Sequence, residues 1–355
     1  MRRHPSTIRI ALATLLAILG GGMTALAEAG QRAAVTGSIE KISVHGSSLE
    51  GSLAGYSADR EVFVYLPPSY RTSSRQRYPV LYSLHGFGGS GESWVARLGA
   101  PEVFDRAIAA GAREMIVVMP DGRTPLGGVM FSNSPTTGDW ETFIADDLVR
   151  FIDAKYRTVA TRDARGLSGF SMGGYGALRI AMKRPDAFSA VYALSSCCLS
   201  PQLPVLGPPD AFDGFKGLEN IRTQEEAAQL GFGAAPLGMA SAWSPDPGNP
   251  PLFLALPTRN GVPQPEVVAS WAANSILAMV HQYVPALRGL GSIEIDVGLQ
   301  DGLLADNERV HTILTGYHIE HRFETYEGGH GDRIAERYEK VVLPHFSEHL
   351  AAGKK

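Results

Sequence analysis

The chain has 355 residues, 44% of them hydrophobic and 19% charged, with a formal net charge of −4. This composition excludes a disordered chain and leaves room for one large core. The scattered lysines and arginines, with no basic run, exclude a general affinity for nucleic acid or for an anionic membrane.

Arg2, Arg3 and Arg9 accompany a short apolar stretch from Ile10 to Leu19. Ala25-Leu26-Ala27 and Ala27-Glu28-Ala29 follow as small-residue cleavage patterns. Residues 1–29 are therefore expected to be a cleavable signal peptide, because the stretch is shorter than the roughly 20 residues a bilayer requires. Export to the periplasm or the medium, with no stable membrane anchor, is the corresponding expectation. The remainder, 30–355, is expected to form one catalytic domain. The adjacent Cys197 and Cys198 are read as small packing residues, since a disulfide between neighbours closes a strained ring.

After a β-rich opening, Glu61 to Leu66 reads as a strand ended by Pro67-Pro68. Pro79 to Leu84 is a second, running into His85-Gly86-Phe87-Gly88-Gly89. Met115 to Met119 is a third, apolar on both faces as a central strand should be. Val103 to Ala110 has helical periodicity. Asp139 introduces a helix with Phe143, Ile144, Leu148, Phe151 and Ile152 on one face. A strand near Arg165 to Ser168 leads to a helix from Met172 to Lys183. Strands at Ala190 to Leu194, Ile293 to Val297 and Arg322 to Tyr326 complete the set. Strand and helix alternate, which predicts a mostly parallel sheet with helices on both faces. Residues 200–285 break that rhythm. They are rich in Pro and Gly, with helical pieces at Gln224 to Leu230 and Pro265 to Tyr283, and read either as an insertion over the catalytic edge of the sheet or as an ordinary pair of surface helices with long connections.

Gly169-Phe170-Ser171-Met172-Gly173 is the chain's G-x-S-x-G. The motif makes a sharp strand-to-helix turn that holds its serine in a strained conformation, and positions two before and two after must be small. The following helix points free N–H groups toward the serine. A serine hydroxyl needs a base to take its proton. His330, in Glu327-Gly328-Gly329-His330-Gly331 after the last strand, is the candidate. His345 and His349 lack a third metal ligand and read as surface or packing residues. His311, His318 and His321 read as structural, and His85 as ordering its own loop. The acid that orients the base should fall between Ser171 and His330 in chain order. Asp301, just past the strand Ile293 to Val297, is the choice. Asp306 reads as a helix cap, Asp296 lies inside the strand, and Asp332 follows His330 too closely. Backbone N–H groups of Phe87 and Met172 are the expected oxyanion donors.

These motifs resemble the esterase D family of α/β-hydrolases, which includes feruloyl and acetyl esterases, S-formylglutathione hydrolase, siderophore esterases and mycolyltransferases. The resemblance runs from Arg60 to Tyr70 through Leu84 to Gly89. It takes in Asn133-Ser134, Gly138 to Glu141, Ile152-Asp153 and Tyr156 to Thr158, and is most specific from Gly169 to Leu178. It implies an α/β-hydrolase fold, Ser171 as nucleophile, His330 as base, Asp301 as acid, and Phe87 and Met172 as oxyanion donors. It stops at 200–285, where substrate choice is expected to lie. The leading reading is a secreted serine ester hydrolase acting on a small-molecule or carbohydrate-linked acyl ester, feruloyl or acetyl, with no cofactor or metal. Export disfavours S-formylglutathione as substrate. Acyl transfer to a sugar acceptor is the alternative, and a catalytically dead binding protein the minor one.

Overall fold

The runs Val80–Leu84, Ile116–Pro120 and Ala190–Leu194 are buried at every position, as strands covered by helices on both faces must be. In the computed structural model, which describes residues 36–201 and 209–352, they form the middle of an eight-stranded sheet. The expected signal peptide, 1–29, lies outside the described residues. In chain order the strands are β1 Ser38–His45, β2 Asp59–Leu66, β3 Val80–Leu84 and β4 Ile116–Pro120, followed by β5 Arg165–Phe170, β6 Ala190–Leu194, β7 Ser292–Gly298 and β8 Arg322–Tyr326. Across the sheet they run β1-β2-β4-β3-β5-β6-β7-β8. β2 is antiparallel to both β1 and β4, and every other neighbouring pair is parallel.

Side chains alternate between two cores, as the two-residue period of a strand requires. Val62, Val64, Val80, Tyr82, Ile116 and Val118 join one core, with the helix Met172–Lys183 and the helix over 140–155. Phe63, Tyr65, Leu81, Val117 and Met119 join the other, with the helix Ala100–Ala109 and the C-terminal Phe346. The helix expected from Asp139 contains a π turn, Phe143–Asp147. That turn lets Phe143, Ile144, Leu148 and Ile152 all be buried, while Phe151 is only half-buried.

Between β6 and β7 the described part of 200–285 holds several short helices, among them Gln224–Gln229, Ala235–Trp243 and Pro265–Asn274. The helical piece expected over 265–283 is not continuous. Ser275 adopts an extended backbone and caps a new short helix, Ile276–Met279, by accepting from the Ala278 N–H. Among the described residues no helix is long and apolar enough to cross a membrane.

β7 carries two charges into the sheet. Asp296, fully buried, accepts from Arg337 Nε at 2.7 Å and from the Tyr192 hydroxyl at 2.7 Å. Arg337 also donates to Glu324 Oε1 at 3.0 Å and to the Tyr192 hydroxyl oxygen at 3.1 Å. The network ties β6, β7 and β8 to the helix Ile334–Arg337, directly below the loops that follow β7 and β8. Burial pushes the Asp296 carboxyl up to about 6, against the opposing pull of Arg337. The native state thus holds this proton more tightly than an unfolded chain, where an aspartate titrates near about 3.9, and its contribution to stability falls as pH rises through that interval. Arg337→Met strands the carboxylate and is expected to cost about 3–5 kcal/mol of unfolding free energy. Urea titrations should show a larger deficit at about pH 8 than at about pH 5, because a further raised Asp296 is discharged at the lower pH.

Candidate active site

The turn between β5 and the helix Met172–Lys183 is as tight as the sequence pattern requires. A Cβ on Gly169 would lie 2.1 Å from the carbonyl oxygen of Gly173, and one on Gly173 would lie 2.1 Å from that of Leu84. Only hydrogen fits at either position. The turn holds Ser171 at φ 56, ψ −113, a conformation that costs a non-glycine residue on the order of 1–3 kcal/mol. Neighbouring strand ends hold it there. The Ser171 N–H donates to Leu194 O at 2.9 Å, and the Cys197 N–H donates to Ser171 O at 3.2 Å. Behind it, buried Glu141 takes Arg179 Nε at 2.6 Å and Lys183 Nζ at 2.7 Å, fixing the elbow helix to the helix over 140–155.

The loop after β8 brings His330 over this turn. A Cβ on Gly298 would lie 2.2 Å from Gly328 O, so the ends of β7 and the His330 loop touch backbone to backbone. Gln300 staples them: its N–H donates to Gly328 O at 3.0 Å, and its Oε1 accepts from the Gly328 N–H at 2.6 Å. Asp332 closes the turn by accepting from the Gly329 N–H at 2.6 Å. Phe170 packs under the imidazole with ring centroids 4.8 Å apart.

In this frame the structure brings Ser171, His330 and Asp301 together. His330 Nδ1 lies 2.9 Å from Asp301 Oδ2, and Nε2 lies 2.9 Å from Ser171 Oγ. A carboxylate can only accept, so the ring proton sits on Nδ1 and leaves Nε2 free to accept from the serine hydroxyl. The Asp301 side chain is 1% exposed and that of His330 38% exposed. The carboxylate is thus shielded from water while the imidazole is half-exposed. Asp301 has a second function in the fold: its Oδ1 accepts from the Leu303 N–H at 2.9 Å, which fixes the carboxylate plane.

The loop after β3 forms the facing wall. His85, fully buried, accepts from the Gly122 N–H at Nε2 (2.8 Å) and donates from Nδ1 to Gly86 O (2.8 Å). Burial lowers its pKa and keeps it neutral in that role. His85 therefore orders its own loop, as its place in the sequence suggests. A Cβ on Gly86 would lie 3.4 Å from that of Ser171. Among the described residues the N–H groups of Phe87 and Met172 meet no protein acceptor, so both remain available to a ligand oxygen. The insertion reaches this wall. Gly238 abuts the Phe87 ring, and Phe232, 76% exposed, packs edge-on against Phe87 at 5.7 Å.

The other candidates lie elsewhere. Asp306 is not the helix cap expected of it: the helix Leu304–Gly316 begins after Leu303, and Asp306 sits in its first turn, accepting from the Ser200 hydroxyl at 2.6 Å. Buried His345 pairs with Glu294 at 2.7 Å, and His349 Nδ1 donates to the His345 carbonyl at 2.8 Å. His311 and His321 contact each other at 2.8 Å. Among the described residues no group of three or more His, Cys, Asp or Glu could hold a metal ion. Cys197 and Cys198 are unbonded to each other and half-buried.

A family model described as "Putative esterase" matches residues 54–336. An esterase of Mycobacterium tuberculosis is 41% identical over 138 residues, which are 36% of this chain and 27% of that protein. An endo-1,4-beta-xylanase/feruloyl esterase of Xylanibacter ruminicola is 34% identical over 143 residues, 39% of this chain and 20% of that one. The match thus spans about a quarter of the length of these relatives. Among solved structures, a ferulic acid esterase superposes with a TM-score of 0.61 at 23% identity, covering 89% of this chain and 100% of its own. An S-formylglutathione hydrolase of Agrobacterium tumefaciens gives 0.57 at 16% identity, covering 90% and 97%. At such identities the structures speak for the fold, while the family match covers most of the chain: the protein belongs to the esterase family and has the α/β-hydrolase fold.

Proposed function

We propose that the protein is an exported serine carboxylic ester hydrolase in which Ser171 is the nucleophile, His330 the base and Asp301 the acid that orients it. The observation that carries this reading is the position of His330, 2.9 Å from both partners, within the reach a general base needs. Ser171 Oγ bonds to the ester carbonyl carbon as its proton passes to His330 Nε2. The oxyanion that forms meets the N–H groups of Phe87 and Met172. Collapse breaks the bond to the alcohol oxygen, which leaves with the proton from His330. Water then adds to the acyl-enzyme by the same route and releases the acid. Asp301 accepts from the imidazole Nδ1–H throughout and stabilises the imidazolium.

The feruloyl esterase names among the relatives and neighbours favour a feruloyl group as the acyl part, with acetyl the other candidate. The insertion over 200–285, part of the same domain in this reading, would set that choice through Phe232 beside Phe87. A panel of p-nitrophenyl esters and methyl ferulate is the test. Short acyl or feruloyl esters are expected to turn over with a burst of alcohol, and a fluorophosphonate should label the protein once, at Ser171. No turnover and no labelling would sink the reading. The same residues could hand the acyl group to a sugar, and adding a sugar acceptor to the assay would reveal a transfer product in place of the free acid.

A further inference from the structure

A cavity of about 460 Å³ opens beside the reacting groups. One wall follows the chain onward from His330, through Gly331, Asp332 and Ile334. The loop over 85–89, Trp94, Arg97 and Phe170, the residue before Ser171, line the rest. Its location assigns its occupant. In the reaction proposed above, on which this inference rests, His330 passes its proton to the departing alcohol, so that alcohol must leave on the His330 side. This cavity therefore receives the alcohol; Phe87 borders it, and Phe232, packed on Phe87 but outside the cavity's lining, is left to the acyl side. The volume falls within the range of small-ligand sites.

The two charged residues in this cavity differ in what they are free to do. Asp332 is folded back on its own loop, where it accepts from the Gly329 N–H at 2.6 Å. Arg97 follows the short helix Gly91–Ala96, its backbone N–H bonded to Ser93 O. Among the described residues its guanidinium meets no carboxylate and no other acceptor. Arginine presents a planar set of donors matched to carboxylate and phosphate oxygens, and Arg97, exposed at the cavity's rim, is free to turn them toward such a ligand. We infer that the cavity between Trp94, Phe170 and the His330 loop selects esters whose alcohol bears an anionic group, carboxylate or phosphate, and that Arg97 is the residue that reads it.

The test uses three esters with one acyl group: methyl 4-acetoxybenzoate, 4-acetoxybenzoate and 4-acetoxyphenyl phosphate. The readout is kcat/KM for each anionic ester divided by that for the neutral one, compared between the full wild-type protein, Arg97→Ala and Arg97→Lys. Comparing the ratio between proteins cancels the differences in leaving-group chemistry. The ratio is expected to fall roughly 2- to 5-fold in Arg97→Ala, the worth of an ion pair at an exposed site. Arg97→Lys should recover part of the loss, and added salt should shrink the wild-type preference. A larger fall for the phosphate ester identifies a phosphorylated alcohol, and a larger fall for the benzoate identifies an acid. Ratios unchanged by Arg97→Ala, with the neutral ester still hydrolysed in a Ser171-dependent way, overturn this inference alone. No Ser171-dependent hydrolysis of any of the three overturns the esterase reading beneath it.

Discussion

Ser171→Ala is expected to lower kcat on the best ester of the panel by about 10⁴- to 10⁶-fold, with KM little changed. The loss is large because the hydroxyl is the only atom that forms the covalent bond, and none of its neighbours can replace it. Cys197 meets the turn through its backbone, its N–H bonded to the Ser171 carbonyl. The residual rate should come from the N–H groups of Phe87 and Met172 polarising a bound carbonyl toward water. The variant should fold, since alanine occupies the same volume and inherits the strained φ of 56 without adding a clash. An unchanged melting curve beside a lost burst of alcohol would tie the loss to chemistry. A variant retaining more than about one hundredth of the wild-type rate would show that another group carries the reaction, because removing a true nucleophile leaves far less.

The parts of this site that can be read in the sequence are those set by local sterics. The glycines at 169 and 173 are needed because backbone passes within van der Waals contact of both, and that requirement shows as a motif. The strands buried on both faces announce themselves as apolar runs, and the sequence pattern delimits seven of the sheet's eight strands to within a few residues. β1 is not delimited, since Ser38–His45 reads only as part of a β-rich opening and buries one side chain, Val44; the other edge strand, β8, buries none but is legible from Phe323, Thr325 and Tyr326, residues that favour strands. Long-range polar pairings are not legible in the same way. Glu294 and Asp296 alternate with isoleucine in a buried strand, which signals that partners must exist, but nothing local says that these are His345 and Arg337. Gln300 is equally mute, because its work of joining the β7 and His330 loops depends on residues 28 positions away. In the sequence the choice between Asp301 and Asp306 rests on chain order and loop position. In the fold the loop turn aims the Asp301 carboxylate at His330 and that of Asp306 at Ser200.

Asp301→Asn should be nearly as damaging as loss of the serine, for a different reason. The Asn oxygen can keep the bond from the Leu303 N–H that Asp301 Oδ1 now accepts, so the loop should hold its shape. The amide nitrogen would then face His330 Nδ1, and two donors cannot share that contact. The imidazole escapes the conflict by carrying its proton on Nε2, the nitrogen that must accept from Ser171 Oγ 2.9 Å away. The base is therefore present, correctly placed and in the wrong tautomer. Swapping a triad aspartate for asparagine costs about 10⁴-fold in kcat where the geometry is kept, and a loss of that order is expected here. Because the defect is in proton acceptance, labelling by a fluorophosphonate should slow together with turnover, while binding of a non-hydrolysable ester analogue should hardly change. Asp301→Ala would remove the Leu303 bond as well, so a drop in melting temperature for alanine but not for asparagine would separate the loop's support from the orientation of the base. If the asparagine variant kept activity within about tenfold of wild type, the acid that orients His330 would have to be another residue, since a defect confined to the wrong tautomer costs far more.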